Sequence, residues 1–591
     1  MMANKIKPFF KQHWLALVLA VVVGLISASP QLLAIISLGA EYQNIPFFGI
    51  NDNLYYTAKI QEIADGHWTA ASPFMFEYKN VYPLVLPIGE SFYFILSKLF
   101  WLSAPGAVLL AKFLFPAVLF FLIYWLIFKI IQQDIGAWPE KITSLAGGLL
   151  VVLGYNLIDF KNAGLFILGQ KPYFSLPLWT RPVNPITGAL LLMIFLLLIW
   201  RIINRPESLA KYAFLWPGLI MGSMIYYFFS WGAAMSVLGV LAVIYLIKKE
   251  YRIFQQFLLV FLTSFLILLP YWIGLRLSVG ATNWQQMSTR SGMLYTHQPL
   301  PNKVLLAALA IFLPCLFYEF YKKRQAGEKL ADWWWFCLSF LLGGLLALNQ
   351  QIITGRTIWP YHFVQYTIPL AMIAIVILFF NFIRPKMPKI WLSGMVLIFI
   401  FVAAFALATI RSHPFWADKM RGMQQSAPVL AWLNNNTSKD AVVLVKEPEN
   451  NLATLIPALT ADNVYWTDWF PLSLIPVERI YHNYLIYLRI NEIKPAKARE
   501  YLKEHQSEIR SSFFVDLRMV FDRGDSEYIN EKIEQIAADY QGFAQKDLAA
   551  ELKKYRLDYI VSSGPLSQSL RNELPTAKDV FNSGNTFIYS F

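Results

Sequence analysis

The chain has 591 residues, 57% of them hydrophobic, 16% aromatic and only 15% charged, with a mean hydropathy of +0.45. That composition excludes a soluble globular protein and points to repeated membrane spans. The formal net charge of +13 does not indicate a nucleic-acid partner, because the basic residues cluster in short loops between apolar runs and form no stripe with interleaved aromatics. The two cysteines, Cys315 and Cys337, both fall in apolar runs, so neither a disulfide framework nor a CxxC metal site is expected.

In chain order, Lys5, Lys7 and Lys11 precede an apolar run over about 14–38. The run is too long for a signal-peptide core, and Pro30 is badly placed for cleavage after Ala28-Ser29, so it reads as a retained anchor. Further spans are expected over 108–131, 142–158, 185–203, 212–228, 231–247, 255–274, 303–321, 332–348, 364–383 and 390–411, about eleven in all. The 88–103 stretch is apolar but short and carries Lys98; it reads as an interfacial or re-entrant helix. With the N-terminus inside, Lys129 and Lys141, then Arg201, Arg205 and Lys211, then Lys248, Lys249 and Arg252, then Lys322, Lys323, Arg324 and Lys329, and finally Arg384, Lys386 and Lys389 all fall on the cytoplasmic side. The outer segments are then 39–107, 159–184, 275–302, 349–363 and everything after 411. The 212–247 run must be a hairpin turning near Ser230-Trp231-Gly232, with Tyr226, Tyr227 and Trp231 as an interfacial aromatic belt.

Beyond about residue 410 the apolar runs shorten and charge rises, which places a soluble α/β domain over 412–591. Helices are expected to end near 433 and to cover Ala496–Glu508, behind Pro495. Ala441–Val445, Leu557–Val561 and Thr586–Tyr589 read as strands. The fold class is therefore a polytopic α-helical membrane protein with a C-terminal soluble α/β domain, and the division is a transmembrane domain over 1–411, with an outer loop at 39–107, and an extracytoplasmic domain over 412–591.

The polar constellations all fall on the outer side: Asn51-Asp52-Asn53 and Glu77 in the first loop, Asp159, Lys161, Lys171 and Arg181 in the second, Arg276, Arg290 and His297 in the third, and Arg356 and His362 in NQQIITGRTIWPYHF. Loops so distant in sequence are expected to converge above a helix bundle. A carboxylate there suits deprotonation of an acceptor, and arginines suit a phosphate. The plainer alternatives are interfacial anchoring for Arg181 and Arg356, a solvated loop for His297 and a solvated helix face for Glu62 and Asp65. Among the arginines, Arg356 is expected to take the phosphate, with His362 beside it and Arg181 and Arg290 as further partners. No nucleotide-binding glycine loop, HExxH or GxSxG occurs.

A first span, an outer loop with an early Asp52, a helix carrying Tyr55 and ending at Gly66, then Glu77 running on to Tyr82-Pro83, resembles the C-type (GT-C) glycosyltransferase superfamily, which includes oligosaccharyltransferase catalytic subunits and protein O-mannosyltransferases. The motif match covers about 47–87; the likeness in plan covers the whole chain. The resemblance implies an inverting glycosyltransferase in a prokaryotic plasma membrane, with its N-terminus cytoplasmic. It implies transfer of a sugar or glycan from a polyprenyl-phosphate or polyprenyl-diphosphate carrier to a glycan, lipid or protein acceptor outside. Asp52 and Glu77 would be the catalytic carboxylates or the ligands of a divalent metal, Mg²⁺ or Mn²⁺. No paired-acid DxD stands at Asn51-Asp52-Asn53, so metal dependence is left open. No WWDYG-like motif occurs, and TDWF at 467–470 is not equivalent, so the resemblance does not extend to protein N-glycosylation. A transporter of lipid-linked sugar or solute, or a polysaccharide ligase or polymerase, is the alternative.

Overall fold

In hydrocarbon a backbone satisfies its own polar groups most simply as a helix, and the apolar runs of this chain are helical throughout its computed structural model. The structure describes residues 3–132, 138–158, 160–170, 176–204, 212–278, 293–447, 451–467, 475–513 and 526–591. Each expected span coincides with a helix. Among the described residues eight helices are long and apolar enough to cross a membrane, from Phe9–Glu41 to Pro388–Gln424. The other three are shorter: Trp138–Val152, Leu215–Ser223 with a following 3-10 turn, and Asp332–Leu348. The 88–103 stretch is the helix Ile88–Phe100. Its 13 residues rise about 20 Å, short of the roughly 30 Å of a hydrocarbon core. It buries Glu90 and Tyr93 and leaves Phe92, Ile95 and Leu99 exposed.

The ends with basic loops gather together. Lys248 pairs with Asp332 at 2.8 Å, Arg384 with Glu140 at 3.9 Å, and the Trp200 indole donates to the Lys129 carbonyl at 3.2 Å. Close helix packing uses small residues. A Cβ on Gly343 would stand 2.8 Å from the Val237 backbone, so the Asp332–Leu348 and Phe228–Ile247 helices touch through that glycine.

The hairpin turn differs from expectation. It falls at Tyr227, whose backbone is extended, and the next helix already starts at Phe228. The Ser230 hydroxyl donates to the Tyr227 carbonyl at 2.9 Å, which closes the first turn of that helix and draws Ser230-Trp231-Gly232 into it. Tyr226 and Tyr227 are buried and do not form an interfacial belt.

The C-terminal region is an α/β unit with a five-stranded sheet: β3 (Val442–Val445), β4 (Asn463–Val464), β5 (Tyr559–Ser562), β6 (Lys578–Ser583) and β7 (Thr586–Ser590), in the order β4-β3-β5-β7-β6. β4, β3 and β5 run parallel, and β7 and β6 complete it antiparallel. Upstream, β1 (Met293–Tyr295) and β2 (Arg356–Ile358) form a two-stranded ribbon. The helix expected over Ala496–Glu508 is two helices, Ala498–Glu504 and Gln506–Phe513. His505 breaks it: its Nδ1 meets the Tyr501 carbonyl at 2.8 Å and its ring stacks on Tyr501.

The loop after the first span belongs as much to the C-terminal core as to the bundle. Phe47, Leu54, Tyr55, Ala58, Phe74 and Met75 pack in one apolar cluster with Val443, Leu455 and Tyr484. The Val464 amide donates to the Phe74 carbonyl at 2.8 Å, so the loop continues the hydrogen bonding of β4. Lys79, fully buried, meets Asp440 at 2.5 Å, Asn463 at 3.0 Å and Glu62 at 3.4 Å. Glu62 is therefore no solvated face. Burial raises its carboxyl to about 7, against the opposing pull of Lys79.

Candidate active site

Asp52 lies in the first turn of the helix Asn51–Ala64. Gly49 sets that helix's entry: its φ is +72°, and a Cβ there would meet the Met423 side chain at 2.6 Å. Leu54, Tyr55 and Ala58 anchor the helix in the C-terminal core. The helix N-terminus favours a negative charge at Asp52. The chain around Arg181 is held by Trp179, which is buried and donates its indole N–H to the Val151 carbonyl at 3.0 Å.

These two anchored segments bring Arg181 Nη2 onto Asp52 Oδ2 as an ion pair. Each side chain keeps 34% of its exposure, so the pair is open to a ligand. Burial weighs against the guanidinium charge, but Asp52 and the neighbouring phenols outweigh it and raise Arg181 above its ordinary pKa. The contact with Asp52 is the hydrogen bond Arg181 makes among the described residues, which leaves most of its five donors for another anion.

Tyr56 stands one helical turn after Asp52, and its hydroxyl accepts from Asn184 Nδ2 at 2.9 Å. Asn184 Oδ1 is buried and has no hydrogen-bond partner among the described residues. His362 opens the helix Tyr361–Leu378, and its Nδ1 lies 3.0 Å from the Tyr227 hydroxyl. The rings of Trp359, Tyr361 and Phe229 surround the imidazole. The charge of Arg181 acts on both Tyr227 and His362, and that of Asp52 on Tyr56 and Tyr227. Asp52, Arg181, Tyr56, Tyr227 and His362 thus form one constellation of a carboxylate, a guanidinium, two phenols and an imidazole.

The remaining expected residues go elsewhere. Glu77 meets Arg479 Nη2 at 3.3 Å. Arg479 is fully buried, with its guanidinium 3.6 Å from the centre of the Tyr555 ring. Asp52 and Glu77 are thus engaged by different guanidinium groups, each of which competes with a cation for the carboxylate. Among the described residues no three His, Cys, Asp or Glu side chains gather to hold a metal ion.

Arg356 is exposed in β2, its guanidinium 5.4 Å from the centre of the Tyr295 ring on β1. It shares no contact with His362, although they are six residues apart: one sits in a strand, and the other opens a helix beyond the turn at Trp359-Pro360. His297 lies just past β1, its Nδ1 3.0 Å from the Ile352 carbonyl of the short helix Gln351–Thr354. Arg290, Asp159 and Lys171 lie outside the described residues.

Tyr56, Asn184 and Tyr227 were not among the expected site residues. Tyr56 had a legible signal, the four-residue spacing from Asp52 that puts both on one helix face. Tyr227 had none, since it lies in an apolar run 135 residues from its partner His362.

No family model matches the chain, and no curated protein does. Solved structures similar to it include ArnT from Cupriavidus metallidurans bound to undecaprenyl phosphate, at 11% identity and a TM-score of 0.46, covering 98% of both chains. The archaeal oligosaccharyltransferase AglB from Archaeoglobus fulgidus, in complex with an inhibitory peptide and a dolichol-phosphate, is similar at 14% identity and a TM-score of 0.43, over 94% of this chain and 70% of that one. The Archaeoglobus fulgidus oligosaccharyltransferase in complex with Zn and sulfate is similar at 14% identity and a TM-score of 0.41, over 97% and 72%. At these scores the likenesses decide nothing about the site or its substrate.

Proposed function

We propose that this chain is a membrane glycosyltransferase of the C-type kind, moving a sugar or glycan from a polyprenyl-phosphate or polyprenyl-diphosphate carrier to an acceptor on the extracytoplasmic face. The observation that carries the reading is the half-open Asp52–Arg181 pair, set at the bundle end away from the basic loops. A carboxylate beside a guanidinium with donors to spare matches what the transfer requires.

In the proposed reaction the acceptor oxygen attacks the anomeric carbon on the face opposite the carrier. The new C–O bond forms as the bond from that carbon to the phosphate oxygen breaks, and the electron pair leaves with the phosphate. The acceptor proton passes to an Asp52 carboxylate oxygen. Arg181 meets the charge that grows on the leaving phosphate, where a fixed donor acts more on the transition state than on ground-state binding. The Tyr227 hydroxyl and His362, 3.0 Å from each other, would supply further hydrogen-bonding groups to the same anion. Glu77 serves this reading as an anchor: with Arg479 it ties the Asp52 loop to the C-terminal domain.

The test is turnover of purified protein with a panel of polyprenyl-linked sugars. Asp52→Asn is isosteric and should fold, yet lose activity by about 10²–10⁴, the usual contribution of a positioned base. Activity near wild type in that variant removes the central assignment.

A further inference from the structure

Away from the Asp52 site, the helices Val477–Ile490, Ser526–Phe543 and Leu548–Leu552 of the C-terminal domain line an open cavity of about 380 Å³. That volume lies in the roughly 300–1,000 Å³ range of small-ligand sites. Its floor is apolar, from Leu485 and Phe543, and the Tyr481 ring forms a wall. Three lysines, Lys532, Lys546 and Lys554, line it together with Glu478 and Glu551.

The charges are not equally committed. Glu551 is buried and pairs with His482 Nε2 at 2.9 Å, Lys554 at 2.7 Å and Lys546 at 3.9 Å. Lys532 is different. Its ammonium sits 4.8 Å from the centre of the Tyr481 ring and 5.1 Å from that of Phe513, and donates to Gln535 at 3.0 Å. Among the described residues no carboxylate comes within ion-pair distance of it. Burial depresses its pKa, with Asp539 pulling the other way. A half-buried ammonium held by ring faces is compensated only in part, and it stands at the wall of a cavity with room for a ligand.

We propose that this cavity binds an anionic saccharide, with a sugar ring's C–H face against Tyr481 and Phe543 and its carboxylate or phosphate on Lys532. Hydroxyl groups both donate and accept, which suits the mixture of lysines and Glu478 at the opening. A peptide fits less well. Its lining comes from helices and the turns that follow two of them, so no strand edge is on offer for an extended chain. The inference is independent of the transfer reaction proposed above, since it concerns binding in the C-terminal domain alone.

The experiment is calorimetric titration of the full chain in detergent with a galacturonate trisaccharide, a neutral maltotriose, inorganic phosphate and an acidic hexapeptide. The acidic trisaccharide should bind about tenfold or more tighter than the neutral one, and Lys532→Gln should remove that preference, because a charge-assisted hydrogen bond accounts for roughly that ratio. Lys532→Gln removes the charge and keeps a polar N–H donor on a side chain one atom shorter, and its thermal unfolding checks the fold. Should it not fold, Tyr481→Leu, which removes the ring face proposed to hold the sugar, must weaken the acidic trisaccharide instead. Failure of the acidic trisaccharide to bind overturns the proposal. Equal binding of the neutral sugar, the peptide or phosphate does so too, as does unchanged affinity in the folded variants.

Discussion

Replacing Arg181 by alanine separates the proposed site from the alternative that this arginine is a membrane-interface anchor. Arg181 keeps one bond to Asp52 and has donors left for a phosphate. A hydrogen bond to a charged group contributes about 1.5–3 kcal/mol net. Since the side chain is a third exposed, solvent screens it, and the low end of that range applies to each of one or two bonds, for a total of about 1.5–3 kcal/mol. At 1.36 kcal/mol per decade that is a loss of roughly 10- to 150-fold in kcat/KM. Stability should change by less than about 1 kcal/mol, because a pair this open is worth little to folding. Arg181→Lys retains the charge but not the planar fork, so it should recover only part of the activity. The assay is steady-state transfer from a polyprenyl-linked sugar, with thermal unfolding run on the same preparations. An Arg181→Ala protein that folds and turns over within about threefold of wild type refutes the reasoning, since even one such bond is worth more.

Further outcomes follow from other contacts. Arg356→Ala should lose far less activity than Arg181→Ala under the same assay, because Arg356 rests on Tyr295 and touches none of the Asp52 constellation; a larger loss moves the phosphate to the β1–β2 ribbon. Lys79→Met leaves Glu62 and Asp440 without their shared cation and should destabilise the protein by about 3 kcal/mol, the low end for breaking a buried pair because Asp440 reaches solvent; unfolding curves measure it. Burial raises the Glu62 carboxyl to about 7, while in the unfolded chain it titrates near 4.3. Between those values the folded state holds the extra proton, so this residue's contribution to stability is present below about 4.3 and is lost as pH rises to about 7. Glu62→Gln should flatten that fall in melting temperature, and an unchanged pH slope contradicts the assignment. Lastly, an impermeant thiol reagent should label Lys578→Cys, at an exposed position, from outside the cell in a chain whose own two cysteines are replaced. Labelling only from the cytoplasmic side inverts the topology.

Local chemistry determined the helices, and they were legible for that reason. An apolar run in lipid must close its own hydrogen bonds, so every expected span proved helical, including the short ones. The three strands expected in the C-terminal domain appeared within a residue or two, because Val442–Val445 and Tyr559–Ser562 are apolar β-formers bounded by polar residues. Asp52 could be singled out because its motif is local.

What tertiary structure alone decided is which charges meet. Asp52 and Arg181 are 129 residues apart, and no local pattern encodes that the Trp179 anchor and the Asn51–Ala64 helix aim at one point. The same holds for Glu77, which Arg479 claims across 402 residues, and for Glu62, whose solvated look along the helix ends at buried Lys79. Arg356 and His362, neighbours in the chain, part because a strand and a helix place six-residue neighbours differently. Ion pairs act over a few ångströms of space, and the packing of the first loop into the C-terminal core sets those distances.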